Sequence, residues 1–376
     1  LAGTELASLP VNDRTRELFT GREVGVLVRP ATGAHTLVIE VSGKEGLQLS
    51  SQSDVNDLAG NFARLIAHAS RTGSALHTLQ ILDYTVPLAA DEVRAWYEQH
   101  SDPMASVAAR SSVEVLYSDL GTGVRHRTFI ALTADLRSTR DARAKTGGSV
   151  LDVLAAEALA VLPFLRDAGV EVESVLDPAA LCSLLRYAYD PAGSAVLKAA
   201  GLVPSDMAVG PVAARNTWDV FEHEGLVSQT LFVVAWPHEP VRSTLLADLF
   251  ATGSSIRRVA LTIRPTSPEQ ARRRIRARRN ADAATWAKKA QEGALFTAEE
   301  RLQAEDAERL EADLAAGAGY AKWALYVTVT AANEHQCQLD AGAITRAAGA
   351  RSIDLRPARG VQDTAFGWTL PVGTGI

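Results

Sequence analysis

The stretch His35-Thr-Leu-Val-Ile-Glu-Val-Ser42 and the amphipathic run that follows it decide the fold class. β-Branched residues dominate this stretch, which predicts a strand. Downstream, apolar residues recur at intervals of three and four, the period of one helix face: Val55, Leu58, Phe62, Leu65, Ile66 and Ala69. His77–Asp83 is the next predicted strand. A strand, a helix and a strand in this order predict a β-α-β unit.

The rest of the first half predicts more strands and a buried helix. Ser112–Tyr117 and Arg127–Thr133 predict a β-hairpin, because β-branched and aromatic residues flank a Gly-containing turn. The run Val150–Ala168 is apolar nearly all round and predicts a buried helix, which precedes a strand at Val170–Val175. The half thus ends in a second β-α-β order.

The second half repeats this order. Its predicted strands are Thr230–Trp236, Arg257–Ile263, Trp323–Thr330 and Arg351–Leu355. We therefore predict an α+β fold of two tandem ferredoxin-like split β-α-β units, in which helices cover one face of an antiparallel sheet.

Clusters of proline and glycine predict the boundaries between the segments of this 376-residue chain. The predicted segments are an extended lead-in at 1–33, a first α+β unit at 34–190, a linker at 191–226, and a second α+β unit at 227–376 that contains a helical hairpin at 267–316.

The start of each arm of the hairpin is marked by a capping pattern. Ser267 suits an N-cap, Pro268 suits the first helical position, and Gln270 completes a capping box. Gly293 interrupts the helical pattern, and Thr297-Ala-Glu-Glu300 is a second capping box. Two helices joined by a short glycine-containing connection are predicted to pack antiparallel.

The two arms carry opposite charge. Residues 264–289 hold nine basic and two acidic side chains, whereas residues 299–313 hold seven acidic and two basic ones. Three interpretations follow: the arms neutralise each other, the arginines bind a protein partner, or they bind nucleic acid. The net charge of −6 argues against a general nucleic-acid binder. The candidate partner-binding residues are Arg272, Arg273, Arg276 and Arg279.

Sequence motifs for catalysis, cofactors and metals are missing. Gly43-Lys44 lacks the first glycine and the hydroxyl residue of a phosphate-binding loop. His223-Glu224 has no second histidine at metallopeptidase spacing, and His335 and Cys337 stand without a second ligand cluster. We therefore predict a protein that is not an enzyme, with no catalytic residues, no cofactor and no metal.

Four stretches resemble one known family: Gly210–Asp219, Thr230–Pro237, the strand end at Ile263–Ala271, and Ala365-Phe-Gly-Trp-Thr-Leu-Pro-Val-Gly373. They resemble the membrane-anchored conjugation proteins of mobile elements, plasmid or integrative, in high-GC Gram-positive bacteria. That family is similar to the N-terminal, non-motor domain of conjugative type IV secretion ATPases. The last stretch resembles the Leu-Pro-x-Gly ending of that domain.

The resemblance implies a scaffold at the cytoplasmic face of the cell membrane, in a DNA-transfer channel. The implied partners are a conjugative ATPase and channel subunits, and the implied membrane anchors lie upstream of Leu1. The resemblance does not include the motor domain of those ATPases, so it implies no ATPase activity. It leaves homo-oligomerisation open. The alternative function is a single-stranded nucleic-acid-binding module of the same machinery.

Overall fold

The computed structural model describes residues 4–11, 23–43, 52–87, 94, 97–102, 104–119, 124–135, 150–204, 209–237, 256–291 and 297–376. Helices and strands in these ranges are organised around one large antiparallel sheet, as the sequence predicts at the level of fold class.

The elements have the following bounds in the described residues. The strands are β1 (Glu5–Pro10), β2 (Glu23–Arg29), β3 (Ala34–Gly43), β4 (Leu76–Pro87), β5 (Val124–Asp135), β6 (Val170–Val175), β7 (Ala214–Asn216), β8 (Phe221–His223), β9 (Leu226–Ala235), β10 (Ile256–Thr266), β11 (Tyr320–Ala331) and β12 (Asp354–Pro357). The helices are α1 (Gln52–Ala69), α2 (Val107–Asp119), α3 (Val150–Asp167), α4 (Pro178–Tyr189), α5 (Pro191–Ala199), α6 (Pro268–Gln291), α7 (Ala298–Ala315), α8 (Glu334–Gly349) and α9 (Gln362–Trp368).

The sheet runs continuously through both halves of the chain. Its order is β1-β2-β3-β5-β4-β10-β11-β9-β8-β7, with β6 also paired to β3 and β12 also paired to β9. The halves meet where β4 pairs antiparallel with β10, with Asp83 opposite Val259. Within the first half the order is β6-β3-β5-β4, and within the second it is β12-β9-β11-β10.

One face of the sheet is apolar and is covered by helices. Alternate residues of β3, among them Leu37 and Ile39, form a core with Leu65 of α1 and Val161 of α3. In the second half, side chains of β9, β10 and β11 pack on Ile344 of α8 in the same way. The two-residue period of a strand places this apolar set on a single face.

The opposite face carries a second apolar cluster, in which Val38 and Phe129 pack with Leu181 of α4, and beside this cluster a set of buried polar side chains. The polar set includes Thr36, Thr78, Gln80, Thr133, Thr262 and Thr328.

Residues 369–376, here called the C-terminal strap, cover part of this face. The Gly373 N–H donates to the Gln80 side-chain oxygen at 2.7 Å, and the Tyr84 hydroxyl donates to the Thr369 carbonyl at 3.2 Å. The strap satisfies polar groups that burial alone would leave without partners.

One local prediction is wrong. Ser112–Tyr117, predicted as a strand, belongs to helix α2. The Ser106 hydroxyl accepts the N–H of Ala109 at 3.2 Å and acts as a cap, and the alanines after Val107 favour a helix. These signals prevail over the β-branched residues in the segment.

The predicted lead-in and linker both contain regular elements. Strands β1 and β2 lie within residues 1–33 and pair with each other antiparallel, and β2 pairs with β3. Helix α5 and strands β7 and β8 lie within residues 191–226. Among the described helices, none combines the length and the apolar character needed to cross a membrane.

Candidate partner-binding face of the charged hairpin

The charged hairpin consists of helices α6 and α7 and connects β10 to β11. Helix α6 begins at Pro268, directly after Ser267, whose hydroxyl accepts the N–H of Gln270 at 3.4 Å. Helix α7 begins at Ala298, directly after Thr297 of the second capping pattern. Both starts coincide with the capping boxes in the sequence.

A small apolar seam holds the two arms together. Ala271 and Ile275 of α6 are buried against Leu314 of α7, and Leu310 and Tyr320 pack at the edge of this cluster. Because the seam is narrow, most of the surface of α6 is left exposed.

Helix α1 of the first half anchors the base of the hairpin. Gly319 touches the backbone of Ala67, and the Ser70 hydroxyl donates to the Tyr320 carbonyl at 3.1 Å. The Thr72 hydroxyl lies 3.1 Å from both carboxylate oxygens of Glu269. Hydrogen bonds from the backbone N–H of Glu269 and from Thr72 lower the pKa of the Glu269 carboxyl. The direction in which the hairpin leaves the sheet is therefore fixed by the other half of the chain.

The four candidate arginines all lie on α6 and are all exposed. Arg279 forms an ion pair with Glu311 of the opposite arm. In the part of the chain that the structure describes, Arg272, Arg273 and Arg276 have no ion pair. We call these three residues the arginine face. Among the described residues, the opposite charges of the arms thus meet at Arg279 and not at the arginine face.

A groove between the arms was not apparent from the sequence. Its floor is formed by Ile275, Ala307, Leu310 and Tyr320, and Arg274, Arg278 and Asp306 line it as well. This hairpin groove has a volume of about 210 Å³. The four-residue spacing of Arg274 and Arg278 was the only sequence signal for it, since that spacing places both on one side of a helix.

The other residues considered for catalysis or metal binding are His223, His335 and Cys337. His223 is buried, with Nδ1 2.8 Å from the Tyr189 carbonyl and Nε2 2.8 Å from the Ser228 hydroxyl. Burial raises the pKa of the Cys337 thiol to about 12, and His335 nearby is exposed. The described residues contain no group of three or more histidine, cysteine or acidic side chains placed to hold a metal ion. Comparisons of the chain with protein-family models and with curated proteins found no match.

Proposed function

We propose that this chain is a non-catalytic assembly component of a conjugative, type IV secretion-like DNA-transfer apparatus, acting at the cytoplasmic face of the cell membrane. In this proposal the arginine face binds an acidic segment of the motor ATPase or of a channel subunit. The observation that carries the proposal is the set of three exposed arginines that form no ion pair with any described residue, on a helix whose base is fixed by α1.

The geometry of the arginine face suits a carboxylate-bearing protein surface. A guanidinium group presents donors in a planar fork that fits a carboxylate with two hydrogen bonds. Arg272 and Arg276 are four residues apart, so they project from the same side of α6, with Arg273 beside them. Concentrated positive charge on one exposed face also accelerates encounter with an acidic partner.

We also infer that each half of the sheet is a ferredoxin-like unit. Numbered within each half, the strand orders β6-β3-β5-β4 and β12-β9-β11-β10 are both 4-1-3-2, with antiparallel neighbours. In both halves a helical segment lies between the second and third strands: α2 in the first and the charged hairpin in the second. The hairpin therefore occupies a position where a scaffold tolerates an insertion that serves binding.

Co-purification tests the proposed function. The protein with its natural upstream sequence is recovered from its native membrane, and associated proteins are identified by mass spectrometry. The arginine-face variant combines Arg272→Glu, Arg273→Glu and Arg276→Glu. A matched control reverses three exposed arginines on α2, α3 and α8: Arg110→Glu, Arg166→Glu and Arg346→Glu.

The expected result is that a secretion ATPase or channel subunit co-purifies with the wild type and with the control, but not with the arginine-face variant. Equal recovery with all three proteins contradicts the proposed binding face. Recovery of the protein without such partners contradicts the scaffold function. Salt-dependent binding of single-stranded DNA, lost in the arginine-face variant, would instead support the nucleic-acid-binding alternative.

A further inference from the structure

The hairpin groove combines an apolar floor with charged walls. Ile275 and Ala307 are buried at its base, and Leu310 and Tyr320 are half-buried beside them. Its volume of about 210 Å³ is below the roughly 300 Å³ at which pockets for drug-sized molecules begin. A space of this size between two helices fits a side chain of a protein partner better than a free small molecule.

The α6 side of the groove is positive and available. Arg274 forms no ion pair in the described residues. The Arg278 guanidinium lies 3.8 Å from the Asp282 carboxylate, and both side chains are substantially exposed. An exposed pair of this kind contributes little to stability, so a partner's carboxylate can replace Asp282 at little cost.

The α7 side of the groove distinguishes between two classes of partner. Asp306 lines it, and α7 as a whole is acidic. A nucleic-acid strand in the groove would bring its phosphates beside these carboxylates, and like charges repel. A peptide can direct its acidic side chains towards α6 alone. The groove therefore favours a protein segment.

We propose that the hairpin groove receives one large apolar side chain of an acidic partner segment, while Arg274 and Arg278 bind carboxylates that flank it in that segment. This inference rests on the proposed function, because the segment belongs to the acidic partner that the arginine face attracts. It adds an apolar anchor to an otherwise electrostatic contact, the combination by which amphipathic helices are held in grooves.

A synthetic peptide tests the anchor directly. The probe is a fluorescein-labelled, glutamate-rich amphipathic peptide with one central leucine. A second peptide, used for comparison, has serine in place of that leucine. Binding to the full chain is measured by fluorescence anisotropy. Two groove variants are compared. One is Leu310→Gln, and the other combines Arg274→Glu with Arg278→Glu, which changes exposed residues only. Leu339→Gln, at an exposed leucine of α8, is the matched control.

We expect the wild type to bind the leucine peptide at least tenfold more tightly than the serine peptide. Leu310→Gln should remove that difference, and Leu339→Gln should preserve it. The double arginine variant should weaken binding of both peptides. Since it changes only exposed residues, it tests the groove even if Leu310→Gln disturbs the hairpin.

Three results would contradict the proposed role of the groove, and they distinguish its failure from a failure of the proposed function. If both peptides bind equally and the arginine-face variant abolishes binding, the groove is wrong while the proposed function stands. If neither peptide binds, both are contradicted. If labelled oligo-dT binds more tightly than either peptide, the partner is nucleic acid and the apolar anchor is wrong.

Discussion

Gly319 lies directly against the backbone of Ala67, so that a Cβ atom placed on Gly319 would be 2.5 Å from both the nitrogen and the Cα of Ala67. This contact joins the end of the charged hairpin to helix α1, in the other half of the chain. Beside it, the hydroxyls of Ser70 and Thr72 bind Tyr320 and Glu269. The hairpin is thereby held at its base on two sides.

Replacing Gly319 with alanine should lower the free energy of unfolding by about 1–3 kcal/mol, because the new methyl group would overlap main-chain atoms that cannot move independently. Urea denaturation followed by circular dichroism measures the change. Gly60→Ala is the matched control, since the space around Gly60 in the middle of α1 is open. It should raise stability by about 0.5–1 kcal/mol. Equal effects of the two substitutions would contradict the close approach.

Gln80→Leu should release the C-terminal strap. The Gln80 amide donates to the carbonyls of Trp368 and Thr374, and its oxygen accepts the N–H of Gly373. Leucine would leave these buried groups without partners, at about 1–3 kcal/mol for each group that water cannot reach. We expect a loss of about 3 kcal/mol in urea denaturation and faster hydrogen exchange at Gly373. Gln338→Leu, at an exposed glutamine of α8, should change stability by less than about 0.5 kcal/mol.

Local signals in the sequence predicted those elements whose ends are fixed by short-range contacts. Ser267 and Pro268, predicted as the N-cap and the first helical position, mark the start of α6, where the Ser267 hydroxyl accepts the N–H of Gln270 at 3.4 Å. At Ser112–Tyr117, where β-branched and aromatic residues beside a Gly-containing turn predicted a strand, a cap at Ser106 determined the outcome.

Contacts between residues that are distant in the chain could not be predicted from the sequence. Arg258, on β10, is buried with its guanidinium 2.7 Å from the Ala188 carbonyl and 4.2 Å from the centre of the Phe366 ring. The carbonyl end of α4 and an aromatic face thus stabilise a buried cation. Nothing near Arg258 in sequence indicates either partner. Likewise, charge counts predicted an opposite-charge hairpin but not which arginine pairs across it, which in the described part of the chain is Arg279 among the four candidates.

Acid should destabilise the fold through His223. Burial, reinforced by the charge of Arg258, lowers the pKa of His223 to about 4, against about 6.5 for an unperturbed histidine. The folded state therefore favours neutral His223, and this contribution is complete above about pH 6.5 and is lost as the pH falls towards 4. The loss should reach about 2 kcal/mol near pH 5 and about 3 kcal/mol below pH 4.

Urea denaturation near pH 7 and near pH 5 measures this effect. Burial also lowers the pKa of His68 and His77, so the difference between the wild type and His223→Gln isolates His223. His335→Gln, at an exposed histidine, should retain the wild-type pH dependence. If His223→Gln retains it as well, the acid sensitivity arises elsewhere.

The ion pair between Arg279 and Glu311 should contribute little to stability. Both side chains are nearly half exposed, at 46% and 43%. Pairs this accessible to water and salt contribute about 0.2–1 kcal/mol. A double-mutant cycle with Arg279→Ala and Glu311→Ala should therefore give a coupling energy below about 1 kcal/mol that decreases further at high salt. A coupling energy of several kcal/mol would instead support mutual neutralisation as the main role of the charged arms. A small one agrees with the proposed function, because the positive charge of α6 then remains available for a contact outside the hairpin.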